Sequence, residues 1–299
     1  MAVTAGRSEL LIRQRLGALS RSLPAARTGD VSAIHQARVA TRRLREALPL
    51  VARGSAGRKL ARAVRRLTRA LGPVRELDVA LLTLEELARA QDVPRSGVQS
   101  LQQVIRQERA RMHRDMGRTI DRCRLDKLTE RLLAHAKKHD DLAVRPRLAD
   151  PKQLAAARAR AARRAERLRA SIENAAAIYL PDRLHEVRIA VKKLRYAMEI
   201  VRELSRSRAT VRIMTLKRAQ DLLGRIHDLE VLIARTRAIQ GSPNAPTLRV
   251  SADMDLLVRR LETECRRLHG RYIAARAPLL AICDYASDVR GPRRRTRAA

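Results

Sequence analysis

His35-Gln36-Ala37-Arg38-Val39-Ala40-Thr41-Arg42-Arg43-Leu44-Arg45 returns later in the chain as His185-Glu186-Val187-Arg188-Ile189-Ala190-Val191-Lys192-Lys193-Leu194-Arg195, an offset of 185 − 35 = 150 residues. At roughly 100° per residue, His35, Arg38, Arg42 and Arg45 fall within about 80° of one another on an α-helix. Ala37, Ala40, Leu44 and Leu48 take the other side. The second copy divides the same way, with His185, Arg188, Lys192 and Arg195 opposite Val187, Ala190, Leu194 and Met198. Each stretch is therefore a helix that buries one side and offers a histidine and a ladder of cations on the other.

The pattern around these ladders is helical throughout. No sustained alternation of β-branched residues marks a strand, and Ala, Leu, Arg and Glu favour helix intrinsically. Phe and Trp are absent, and Tyr179, Tyr196, Tyr272 and Tyr285 are the only tyrosines, so the core must be aliphatic. The 299 residues suffice for one large domain or two ordinary ones. Lys and Arg number 65 against 31 acids, a net charge of +34 that speaks of an anionic partner rather than of fold. Cys123, Cys265 and Cys283 form no Cys-x-x-Cys pair, and an odd count suggests reduced thiols in a cytosolic protein. No signal-peptide core and no run of membrane-spanning length is present, so a soluble, cytoplasmic protein without membrane contact is expected.

In order, the spacing predicts a first helix from Ser8 to Leu23 stopped by Pro24, then a Gly29-Asp30 turn. The first ladder helix follows, with Ser32 as N-cap. Gly54 to Gly57 separates it from a helix over Arg58 to Leu71. A second repeated motif comes next: Leu71-Gly72-Pro73-Val74-Arg75-Glu76-Leu77-Asp78-Val79 resembles Leu223-Gly224-Arg225-Ile226-His227-Asp228-Leu229-Glu230-Val231, offset by 224 − 72 = 152. Each glycine is read as a helix C-cap, and the acids after it as openers of a new helix that also hold arginines in place. A turn over Gln91 to Ser96 leads to a helical region from Gly97 to His135, broken near Gly117. Lys137 to Pro151 is read as a linker between halves 1–145 and 151–290. The plan then restarts with helices over Lys152–Ile178, Asp182–Leu204 (capped by Asp182), Ala209–Leu223 and Asp228–Ile239. A Gly241-to-Pro246 loop leads to a last region from Ser251, kinked at Pro278, and 291–299 reads as a disordered basic tail. Two multi-helix units in the same order predict an all-α protein of two related bundles, and a duplicated half often packs about a pseudo-two-fold axis, as identical subunits do. Such an arrangement would let the two ladders face one groove.

Cations three and four residues apart along a helix track a linear row of phosphates. Each makes charge-assisted hydrogen bonds, worth about 1.5–3 kcal/mol net, so one contact is weak and many are strong. For a single arginine a solvated face is the better explanation; for two ladders in register, ligand contact is. His35 and His185 are expected near the positive end of a helix dipole, at the third helical position, where imidazolium is disfavoured. Capping of the local turn and contact with phosphate remain equal alternatives for them. Metal ligation lacks carboxylate, cysteine or second histidine partners nearby. Catalysis through a phosphohistidine lacks a Gly-rich phosphate loop or an acidic metal cluster.

His-x-x-Arg-x-x-x-[Arg/Lys]-[Arg/Lys]-Leu-Arg followed by Leu-Gly-x-x-x-[Asp/Glu]-x-[Asp/Glu]-Val, each present twice and in order over about Ser8 to Tyr285, resembles the conserved-histidine α-helical domain, or CHAD, family. The resemblance implies one domain over 1–290, built as two related antiparallel four-helix bundles around a pseudo-two-fold axis, and binding of inorganic polyphosphate in a basic groove, without catalysis, cofactor or metal. It also implies association with polyphosphate granules for some members. Carried onto matching positions, the contacts would be His35, Arg38, Arg42, Arg43 and Arg45 with His185, Arg188, Lys192, Lys193 and Arg195. Arg65, Arg66, Lys217 and Arg218 would join from neighbouring helices, with Arg43 and Lys193 at the edge of the ladder face. The triphosphate-tunnel enzyme domain that precedes this one in some members is not expected here. The rival reading is a sequence-nonspecific duplex nucleic-acid binder, since single strands would want aromatic platforms.

Overall fold

The computed structural model describes residues 7–51, 54–89, 93–141, 151–205, 210–243 and 245–288. Among them are nine α-helices and no strand: α1 Arg7–Thr28, α2 Val31–Val51, α3 Gly54–Ala88, α4 Arg95–Asp121, α5 Leu125–Asp141, α6 Pro151–Ala175, α7 Pro181–Ser205, α8 Thr210–Gln240 and α9 Leu248–Asp288. The tail 291–299 and most of the proposed linker lie outside the described residues. None of the described helices is long and apolar enough to cross a membrane.

Several sequence signals for helix ends are overridden by packing. Pro24 does not stop α1, because the buried seam of Leu16, Leu19, Leu23 and Ala26 runs through it. The helix closes at Gly29, whose φ of +100° an L side chain rarely adopts. Gly29 N–H donates to the Ala26 carbonyl and Asp30 N–H to that of Ala25, both at 3.1 Å, the paired bonds of a Schellman end. Asp30 then caps α2, its Oδ1 accepting from the Ala33 N–H at 2.6 Å, so Asp30 and not Ser32 is the N-cap. α7 opens on Pro181, a residue suited to the first helical position, and not on an Asp182 cap. Both ladder histidines thus occupy the fifth position of their helices rather than the third.

Gly72 and Gly224 are not C-caps. α3 and α8 run straight through them, and neither glycine has a positive φ. In α3 the seam Leu60, Val64, Leu67, Leu71, Val74, Leu77 and Leu84 continues past Gly72-Pro73. An interior proline costs about 3 kcal/mol, whereas each fully buried Leu contributes about 1.5–3 kcal/mol, so the seam wins. Glu76, Asp78, Asp228 and Glu230 consequently sit in mid-helix. Likewise α4 passes Gly117 and ends at Asp121, with the break at 122–124, and α9 continues through Pro278.

The aliphatic core forms two clusters. One joins α1, α2, the first half of α3, the end of α4 and α5, with Ala157, Ile200 and Leu204. The other joins α6 to α9 with Leu77, Ala80 and Leu84 of α3 and Val98, Leu101 and Ile105 of α4. α3 and α4 thus belong to both cores, and the boundary between cores does not coincide with the boundary between sequence halves. Where the clusters meet, α2 packs on α7 and α3 on α8.

Candidate functional site

α2 buries Ala33, Ala37, Ala40 and Leu44, and α7 buries Leu184, Val187, Ala190 and Leu194. The ladder cations are the residues left over from this packing, and the contact between α2 and α7 brings the two sets into one electrostatic field. Burial lowers the proton affinity of Arg38, and the facing Arg188 lowers it further. Arg42 is pushed down to about 10 by burial, with Arg38, Arg188 and Arg45 adding to the effect. Lys192 falls to about 6, first from burial and then from Arg42, Arg188, Arg38 and Lys193. Arg38, Arg42, Arg188 and Lys192 are all half-buried, and none has a carboxylate ion pair among the described residues. The Arg38 Nε is buried with no hydrogen-bond partner. Desolvated like charges without counterions are unfavourable for folding. In such a cluster an anion would be stabilised more than on an ordinary solvated face.

The flanking helices add Arg75 and Glu76 from α3 and His227 and Asp228 from α8. Arg75 depresses His35, after burial, together with Arg38 and Arg42. His185 and His227 bring their Nδ1 atoms to 3.1 Å, so one imidazole donates to the other. Burial, then Arg188, His185 and Lys192, hold His227 down to about 4. His185 is likewise lowered, by burial first and then by Arg188 and Lys192. Asp228 and Glu76 partly offset the lowering of Arg188 by burial. No group of three or more His, Cys, Asp or Glu among the described residues could hold a metal ion.

The remaining sequence candidates divide by position. Arg43 is exposed, with its Nε 3.6 Å from Glu199 Oε2. Arg45 and Lys193 are exposed, and the Lys193 carbonyl accepts from Arg164 Nη1 at 2.6 Å. Arg195 is buried and engaged: it is paired with Glu199, its Nε donates to Gln220 Oε1 at 3.0 Å, and its guanidinium lies 4.4 Å from the Tyr196 ring centre. Arg195→Gln is accordingly expected to lower Tm, because it leaves the buried Glu199 carboxylate with only the longer contact to the exposed Arg43; an unchanged Tm would contradict that role. Arg65 and Arg66 precede Arg75 by ten and nine residues, which turns them roughly 80° and 180° away from it. Lys217 and Arg218 stand in the same relation to His227. All four are exposed.

In the first copy of the second motif the acids do hold arginines, though from mid-helix. Arg109 Nε donates to Asp78 Oδ1 at 2.5 Å, and Arg235 Nη2 lies 3.5 Å from Glu76 Oε1. Glu230 instead accepts from the Tyr179 hydroxyl. Beside the ladder, a cleft of about 500 Å³ between α1, α2 and α7 runs from His35 to Arg43 and Arg202. On its wall the buried Arg15 is held by Glu203, with Nη2–Oε distances of 2.9 and 3.1 Å.

Sequence reasoning missed a role for Arg75 and His227. The signal was present: both occupy the same place in the second motif, 152 residues apart, one position before a carboxylate.

A structure of a CHAD domain from the plant Ricinus communis superposes with a TM-score of 0.65 at 23% identity, covering 94% of each chain. PptA from Streptomyces chartreusis superposes with a TM-score of 0.55 at 16% identity, covering 91% of this chain and 99% of that one. No curated protein sequence matches. The family model for the CHAD domain matches residues 10–237, and the chain belongs to the CHAD domain family.

Proposed function

We propose that this protein binds inorganic polyphosphate, without chemically altering it, in the groove where α2 meets α7. The carrying observation is the convergence of Arg38 and Arg42 with Arg188 and Lys192, half-buried basic side chains in which burial and neighbouring positive charge depress Arg38, Arg42 and Lys192, with no carboxylate ion pair to any of the four among the described residues. His35, His185, Arg75 and His227 flank them, and Arg43, Arg45 and Lys193 extend the positive field. The family resemblance supports polyphosphate as the polyanion, and the bundles are taken as two four-helix units about a pseudo-two-fold axis. A cytoplasmic protein recruited to polyphosphate granules follows from the same reading.

Competition tests the groove. Labelled long-chain polyphosphate should be displaced by unlabelled polyphosphate but not by duplex DNA at equal phosphate and physiological salt. Displacement by DNA would transfer the groove to nucleic acid. Incubation with polyphosphate and a divalent cation should leave the chain-length distribution unchanged on a gel, and shortened chains would make the protein an enzyme.

A further inference from the structure

The first half of α3 carries a second concentration of charge, one that the groove does not use. From Gly54 to Arg75 the sequence has no Asp or Glu. Arg58, Arg62, Arg65 and Arg69 fall within roughly 60° of one another on the helix, and Lys59 and Arg66 widen the stripe to about 120°. All six side chains are exposed. None forms an ion pair among the described residues, whereas Arg27, Arg118, Arg237 and Arg267, equally exposed, each meet a carboxylate.

The fold does not require this charge. At the 152-residue offset, the same helix positions in α8 hold Thr210, Val211, Met214, Lys217, Arg218 and Asp221. Six cations in α3 thus stand against a net charge of 2 − 1 = +1 in its counterpart. Unrelieved like charges at three- and four-residue spacing disfavour a helix. Their concentration in one copy, without ion pairs among the described residues, suits a polyanionic partner.

We propose that this face of α3 docks the sugar-phosphate backbone of duplex nucleic acid, separately from the polyphosphate groove. The stripe is open and lies on one helix, without the facing wall of cations that α7 gives α2. A thin flexible polyanion laid on it would be straightened by few contacts, whereas a duplex is already stiff. Arg58 to Arg69 spans about 16 Å along the helix axis, and a duplex presents about one charge per 1.7 Å of its own axis. Ala61, Ala63 and Ala70 lie about 20–40° outside the stripe and pack against the core, and no Asn or Gln that would read an adenine edge joins the cations. The contact is therefore with phosphate and is indifferent to sequence. No tyrosine lies on α3, which disfavours the stacking that holds single strands.

The test uses the full chain and two variants: Arg58→Gln, Lys59→Gln, Arg62→Gln and Arg69→Gln together, and the groove set Arg38→Gln, Arg42→Gln, Arg188→Gln and Lys192→Gln together. Short duplex DNA and long-chain polyphosphate are titrated separately at several salt concentrations, with helicity followed by circular dichroism. The stripe variant should remain helical and keep its polyphosphate Kd. It should lose at least about tenfold in DNA affinity, and its log–log salt slope should shrink by about 3. The groove variant should retain the wild-type DNA slope. DNA affinity unchanged in the stripe variant overturns the proposal, as does an absence of DNA binding by the wild type. Parallel loss of polyphosphate overturns it too, making the stripe a wall of the polyphosphate site. Failure of the wild type to bind polyphosphate would sink the groove reading and leave the DNA comparison standing.

Discussion

Converting Arg38, Arg42, Arg188 and Lys192 together to Gln is expected to weaken polyphosphate binding by at least about 10³-fold while leaving the fold as stable as before or more so. Four charge-assisted contacts at about 1.5 kcal/mol each already exceed the loss of roughly 4 kcal/mol that a thousandfold requires. Gln keeps polar reach and much of the aliphatic stem, so packing along α2 and α7 is little disturbed. What disappears in the free protein is repulsion around the half-buried Arg38, Arg42 and Arg188, which lack carboxylate ion pairs among the described residues, and the cost of holding Lys192 uncharged beside them. Binding and stability should therefore move in opposite directions, the trade-off expected where a site is kept under electrostatic strain for a ligand. Isothermal titration gives the first quantity and thermal melting without ligand the second. Unchanged affinity would place the site elsewhere. A much lower Tm would mean that these cations hold the two helices together, which would also remove the reason for assigning them to a ligand.

The ladders were legible because periodicity separates the faces of a helix. Ala37, Ala40 and Leu44 on one side oblige Arg38 and Arg42 onto the other, whatever the helix packs against. That the two ladders meet depends on α2 packing against α7 and on α3 spanning both cores. Those are long-range contacts that no local pattern encodes. The helix ends misled for a related reason. Pro24, Gly72 and Gly117 are breakers by intrinsic preference, and each was outweighed by a leucine-rich or aliphatic seam continuing beyond it. Arg195 shows the limit at the site itself. Its spacing matches Arg45, but its partner Glu199 aligns with Pro49, so the second copy ties down a cation that the first leaves exposed.

Polyphosphate affinity is also expected to fall steeply as pH rises from 6 to about 8.5, with Lys192 as the group responsible. In the free protein burial and the facing Arg42, Arg188, Arg38 and Lys193 bring the Lys192 ammonium down to about 6, so at neutral pH it is mostly uncharged. A bound polyanion replaces that repulsion with attraction and restores the proton. Binding near pH 7.5 then takes up about one proton, and affinity should lose up to about tenfold per pH unit until the pKa of the complex is reached. His227, held at about 4, stays neutral over this range in the free protein, and His185 is lowered in the same direction. The same lysine gives the ligand-free fold the opposite dependence. Its folded pKa lies below its unfolded value, so between about 6 and the ordinary lysine range the unfolded chain binds the extra proton and stability rises with pH. Calorimetry in two buffers of different ionisation enthalpy measures the proton uptake directly. Lys192→Arg, whose guanidinium stays charged throughout, should flatten the slope and serve as the reference for titration of the ligand's own terminal phosphates. An equal slope in wild type and Lys192→Arg would mean that the lysine is already charged before the polyanion arrives. The groove would then attract its ligand by a fixed field, with no proton drawn in on binding.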